Sequence, residues 1–315
     1  MRCALIFNPA SGRNRHLRTE KLRQIGDALS ALGHTVELAA TTGPGSATVQ
    51  AQQAARVGAE IVFACGGDGT VHEVLQGLVS EAGQPVAALG VIPLGSANAL
   101  ARHLRLSLDP VTAALRQMQG KPRTIPVGKV TYGDQTRYFT VMAGAGPDGA
   151  LVYSLLATQK SSLGRLAYYL HAGRLFVSRR FYPFEIEFTE AISGTTFIQR
   201  AVSVMAVRVD NLGGLFGRLA KRSAAIHDAR LRLIVLRPPA VLSLPIWFTS
   251  GWLNLHNLNP FLRFVDVTAF TCRPSSGHPA HFQADGEWLG RIPMRVSIVP
   301  NGLRILLPSR EPSPS

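Results

Sequence analysis

Residues 61–78, "IVFACGGDGTVHEVLQGL", join an apolar run to an amphipathic helix through a turn that holds three glycines and one carboxylate. Val71, Val74, Leu75 and Leu78 recur at the spacing of one helix face, so the turn before them is a strand-to-helix loop. Glycines there let backbone N–H groups converge, and the following helix aims its positive end at the same point. An anionic group is the natural occupant. The alternation continues on both sides. "CALIF" (3–7) leads to a helix with Leu22, Ile25, Leu29 and Leu32 on one side and Gly33 as its stop. "TVEL" (35–38) leads to an alanine-rich helix from Ser46 to Val57, and "VAALGVI" (86–92) to a helix containing Leu100 and Leu104. Such alternation predicts a doubly wound α/β domain with a parallel sheet, in which ligands bind beyond the carboxyl ends of the strands. Three loops then share one edge: "NPASGR" (8–13), "GGDGT" (66–70) and "PLGSAN" (93–98).

From Lys121 the texture changes to β-rich runs: "RYFTVMA", "FEIEF", "AVSVMAVRV", "LRLIVL", "FVDVTAF", "MRVSIV" and "LRILL". Helical patterns interrupt them near 160–176 and 240–256. The reading is a first domain over 1–123 and a second, mostly antiparallel one over 124–315, joined at "GKPR". Residues 303–308 are expected to pack back on the first domain, and 308–315 have the composition of a disordered tail.

The net charge of +14 and pI of about 10.6 predict anionic partners: nucleic acid, acidic lipid or nucleotide. No zinc-finger or RRM signature is present, and no basic helix carries interleaved aromatics, so nucleic acid is set aside. Cys3, Cys65 and Cys272 lack metal-ligand spacing, and a reduced, cytoplasmic setting is the simple expectation. The apolar stretch 233–255 contains Arg237 and three prolines, which excludes an uninterrupted spanning helix of about 20 residues. Peripheral membrane association stays open.

"GAGPDG" (144–149) matches a dinucleotide fingerprint, yet no acidic residue lies between Asp148 and Glu185 to hold a ribose. The Walker pattern is absent. "GGDGT" is more specific, because it places an acid inside a turn that suits phosphate. Two readings follow: Asp68 holds a cation that bridges to phosphate, or Asp68 caps its own helix. "ADGEW" (284–288) likewise offers either a carboxylate base at Glu287, shielded by Trp288, or a hairpin at Asp285-Gly286 with Glu287 on the surface.

Taken in order, "NPASGR", "CGGDGTVHEVLQGL", "PLGSANALARHL", "GAGPDG", "KSSLGRLAYYL" and "QADGEWLG" resemble the motifs of the diacylglycerol kinase catalytic superfamily, which includes sphingosine and ceramide kinases. The resemblance covers most of the chain. It implies an ATP-binding α/β domain, a β-sandwich-like lipid domain and a site in the cleft between them. It puts Asn8, Ser11, Gly12, Arg13, Thr41 or Thr42, Gly66, Gly67, Asp68, Gly69, Thr70, Gly95, Ser96 and Asn98 around the nucleotide. Lys160 matches a basic position near phosphate, Glu287 the general base, and Asp68 a ligand of Mg²⁺. Asp228 is either a ligand of a structural cation, with nearby carbonyls, or a solvated turn residue.

Departures from the family pattern are Ala99, where many relatives have Asp, Pro126 and Ala229, which together thin the expected metal network. His72 stands where Asn is typical and reads as a helix-face residue. His278 and His281 lack the further ligands a zinc site needs. Arg218, Lys221, Arg222, Arg230, Arg232 and Arg237, near Trp247 and Trp252, suggest docking on an anionic membrane surface. The leading function is an ATP- and Mg²⁺-dependent lipid kinase. The alternatives are a kinase of a soluble substrate, as in NAD kinases, and a non-catalytic lipid-binding relative.

Overall fold

The computed structural model describes residues 1–9, 15–96, 98–147, 149, 181–209, 226–253, 255, 259–275 and 277–308. The chain divides into two compact units, Met1–Val127 with Val299–Ser315, and Gly128–Ile298.

The first unit alternates β1 (Arg2–Phe7), α1 (Arg15–Ala31), β2 (Thr35–Ala40), α2 (Ser46–Arg56), β3 (Ile61–Gly66), α3 (Asp68–Leu78), β4 (Ala88–Pro93), α4 (Ala99–His103) and α5 (Pro110–Met118). β2, β1, β3 and β4 lie side by side in parallel, and Arg304 and Ile305 extend the sheet beside Ala88 and Leu89 of β4. β3 and β4 are buried throughout, as continuous apolar runs of a covered parallel sheet must be. Leu22, Ile25 and Leu29 of α1 pack on Cys3, Leu5, Phe63 and Ile92. Leu32, expected on that face, is 57% exposed, because the helix ends at Ala31 and Gly33 turns the chain at φ 80°. The pairing of β4 with the last strand is recorded only at Ala88 and Leu89, and at Val91 a side chain takes over. Gln117 of α5 accepts from Val91 N–H at 2.9 Å and donates to its carbonyl at 2.8 Å.

The second unit is strand-rich and antiparallel. β5 (Pro122–Tyr132) enters it from the first unit, followed by β6 (Gln135–Phe139), β7 (Met142–Ala145), β8 (Phe184–Glu190), β9 (Thr196–Ala201), β10 (Ser203–Val207) and β11 (Leu231–Leu236). After α6 (Ala240–Trp252) come β12 (Leu262–Arg273), β13 (His281–Ala284), β14 (Glu287–Arg291) and β15 (Met294–Leu306). Its sheet runs β14-β13-β7-β10-β11-β12, with β8 and β9 also added through β12. Phe139, Phe184, Phe188, Phe270 and Phe282 fill the core.

The mixed architecture is the expected one, but several elements differ from their sequence reading. "RYFTVMA" is two strands, broken at Thr140 and Val141, whose N–H groups donate to the Asp285 carboxylate, as does that of Met142 at the head of β7. "MRVSIV" and "LRILL" are one strand of 13 residues. The helical pattern near 160–176 lies outside the described residues.

Candidate active site

In the first unit the strand ends are in register: Phe7 pairs with Ala40 and Cys65, and Gly66 with Pro93. The residues that follow therefore gather at one sheet edge. Thr41 N–H donates to Phe7 O at 2.8 Å, Thr42 N–H to Ser46 Oγ at 3.1 Å, and Leu94 N–H to Gly66 O at 3.0 Å. The two glycine loops touch through their backbones. A methyl group on Gly95 would stand 2.4 Å from the Gly67 Cα, so only glycine permits this approach. Asn98, in the left-handed region at φ 49°, closes its own loop: its Oδ1 accepts from Gly95 N–H at 3.0 Å and its Nδ2 donates to Gly95 O at 2.8 Å.

Asp68 does not cap its own helix. The N-cap of α3 is Gly67, without a side-chain cap bond, and Asp68 Oδ1 instead accepts the N–H of Ala99 at 2.7 Å. The carboxylate thus ties the second loop to the third, and it sits in the first turn of α3, where negative charge is favourable. At position 99 it is the main chain that makes this bond. Among the described residues no three His, Cys, Asp or Glu side chains converge as a metal cluster. A single carboxylate beside a glycine loop suits Mg²⁺ all the same, since Mg²⁺ is usually held by one or two carboxylates together with the substrate's phosphates.

In the second unit, Ala284 pairs with Glu287, so Asp285-Gly286 is a two-residue hairpin turn, with φ 47° and 85°. The hairpin reading was correct for the backbone, yet Glu287 is half-buried at the head of β14. The turn is fastened from two sides. Asp285 Oδ1 accepts from Val141 and Met142 N–H at 2.9 Å, Oδ2 accepts from Thr140 N–H at 2.9 Å, and Gly286 N–H donates to Gln283 Oε1 at 2.9 Å. Burial raises the Tyr132 phenol; Arg137 pulls it down, and the Glu287 carboxylate adds to the rise. Trp288 does not shield Glu287: neighbours along a strand face opposite ways, and the Trp288 indole donates to His281 Nδ1 at 3.0 Å.

Asn8, Thr41, Gly66 to Thr70, Gly95, Ser96 and Asn98 thus lie at or beside the edge of the first sheet, with Thr42 at the start of the turn into α2. Ser11, Gly12, Arg13 and Lys160, with Arg218, Lys221 and Arg222, lie outside the described residues. Asp228 stands 3.7 Å from Arg230, and His72 is buried on α3, 3.3 Å from the Gln76 amide. His278 stacks on Tyr182 beside a cavity of about 230 Å³ that includes none of the predicted site residues. Of the residues named for membrane docking, Trp247 is 3% exposed and Arg232 is ion-paired with Asp266 at 2.6 Å, whereas Arg230 and Arg237 are exposed. Arg208 and Asp285 are the residues whose roles were missed. The signal for Arg208 was a lone charge inside the apolar run "AVSVMAVRV".

Residues 2–130 match the diacylglycerol kinase catalytic domain. A diacylglycerol kinase of Bacillus subtilis is 30% identical over 311 residues, which is 98% of this chain and 97% of that one. One from Staphylococcus saprophyticus is 26% identical, covering 93% and 90% of the two chains. A crystal structure of a diacylglycerol kinase from Bacillus anthracis superposes with a TM-score of 0.72 at 21% identity, over 97% of this chain and 96% of that one. Yeast NADH kinase shares the fold more distantly, with a TM-score of 0.50 at 9% identity, over 98% and 84%. The two glycine loops and the Asp-Gly-Glu hairpin are thus carried on a chain that aligns almost end to end with a curated relative, and it belongs to the diacylglycerol kinase family, a family of lipid kinases.

Proposed function

We propose that the protein transfers the γ-phosphate of ATP, with Mg²⁺, to a hydroxyl of diacylglycerol, a sphingoid base or a related lipid. The observation that carries this reading is the join between the glycine loops, made by the Gly67–Gly95 approach and the Asp68–Ala99 bond. It builds a wall of backbone at the start of α3, where N–H groups have no acceptor within their own helix and suit phosphate oxygens. Gly69 leaves open space there: a methyl group on it would meet nothing within 4 Å. Mg²⁺ held by Asp68 would neutralise charge on the β- and γ-phosphates. Glu287 accepts the proton of the lipid hydroxyl as its oxygen bonds to phosphorus and the bridging P–O bond breaks, leaving ADP.

We assign peripheral membrane contact to exposed Val241, Leu242, Leu253 and Leu255 in and just after α6. No described helix is long and apolar enough to cross a bilayer. The test is incubation with labelled ATP, Mg²⁺, NAD and a total lipid extract, followed by mass analysis of the products. A labelled lipid is expected. Label found on a soluble dinucleotide alone would favour the NAD kinase-like alternative, and no transfer at all would favour a binding protein.

A further inference from the structure

Arg208 follows β10 and is only 1% exposed. A buried guanidinium is costly unless its donors are satisfied and its charge is balanced. Its Nη2 donates to Ile226 O at 3.0 Å and its Nη1 to Asp228 O at 3.5 Å. Burial pulls its pKa down to about 10 against the opposing influence of the Asp285 and Asp228 carboxylates. The main chain makes a separate connection. Arg208 N–H donates to Val141 O at 2.9 Å, while Val141 N–H donates to Asp285 Oδ1 at 2.9 Å. Asp285 N–H in turn donates to Met142 O at 2.8 Å. One residue therefore touches both the turn at 226–228 and the segment that anchors the Asp285-Gly286 hairpin.

We propose that Arg208 is a positioning residue: its guanidinium holds the 226–228 turn while its main-chain N–H holds Val141, a partner of Asp285, and together these fix the hairpin from which Glu287 is presented. The inference rests on the reading of Glu287 as the base. Forked geometry matters here, because two carbonyls of one turn are bonded by two nitrogens of one rigid group, which an ammonium cannot reproduce. The carbonyls of Ile226 and Asp228 both accept from this guanidinium.

The test compares Arg208→Met, Arg208→Lys and Glu287→Gln in the full chain, by amide hydrogen exchange and steady-state kinetics. In Arg208→Met, the amides of Thr140, Val141 and Met142 are expected to exchange faster, while β11 keeps its native protection. The kcat should fall roughly 10-fold to 10²-fold with lipid KM unchanged, because a base displaced by about 1 Å loses up to that much. Arg208→Lys should recover part of both. Native exchange at 140–142, or unchanged kcat, in a folded Arg208→Met overturns the inference and leaves the base assignment intact. Should Arg208→Met fail to fold, Arg208→Lys decides, since full native protection and full kcat in it overturn the proposal. Undiminished kcat in Glu287→Gln overturns the base, and with it the catalytic part of this role.

Discussion

A methyl group separates two roles among the loop glycines. Gly95→Ala forces a Cβ to within 2.4 Å of the Gly67 backbone, so the loops must part. We expect a loss of roughly 1–3 kcal/mol, typical of overpacking, measured by denaturant unfolding. Gly69→Ala meets open space inside α3 and should stabilise by about 0.5–1 kcal/mol, since Ala is the better helix former. Its nucleotide affinity should nonetheless fall, because the methyl group occupies the approach to the N–H groups. Unchanged affinity in calorimetry would move the phosphates elsewhere. Glu287→Gln preserves size but cannot take a proton, so turnover should drop roughly 10² to 10⁴-fold with nucleotide affinity retained. Full activity would leave Glu287 as a hairpin residue only.

The elements that were legible are those whose cause is local. The apolar runs of β1, β3 and β4 and the glycine turns after β3 and β4 declare a parallel sheet with loops gathered at one edge, without any knowledge of the rest of the chain. The break in "RYFTVMA" was not legible, because the carboxylate that its N–H groups meet comes from Asp285, 145 residues after Thr140. The partners of Arg208 were illegible for the same reason: its acceptors lie 18 and 20 residues ahead, at Ile226 and Asp228. α6 shows a second kind of failure. Its apolar composition identified a helix but not which side faces in, and Trp247 is buried while Val241 is 78% and Leu242 52% exposed. For the membrane contact proposed above, this adds exposed apolar side chains to the basic ones. Val241→Asp with Leu242→Asp should weaken binding to lipid vesicles roughly 10-fold to 10²-fold, as two partly inserted aliphatic side chains are worth about 2–3 kcal/mol together. If the pair binds normally and added salt alone releases the wild type, basic side chains are the anchor instead.

Across the whole molecule, the three thiols serve as reporters of each unit. Cys3 and Cys65 belong to the first unit and Cys272 to the second, and all three are buried. Burial raises the Cys3 thiol to about 11 and lifts Cys65 further, so little thiolate exists at neutral pH. Alkylation of the native protein should therefore be slow at all three, and pulsed labelling during urea unfolding should show whether Cys272 becomes reactive at the same concentration as the other two. Rapid labelling of Cys65 without denaturant would contradict the sheet as described. The two-part plan was legible as a change of texture, and residues 303–308 were expected to pack back on the first domain; what was not legible is that they do so as the far end of a single strand begun in the second unit. That return bears on how the protein is made. The second unit is an insertion between Val127 and Val299, and the sheet of the first is extended beyond β4 only by Arg304 and Ile305. On a ribosome that adds about 5–20 residues per second, the inserted unit has its strands through β14 before the flank of β4 is covered. The parallel α/β unit, although begun first, is therefore the one that finishes last, and a nascent chain halted before residue 304 would leave it with an open edge.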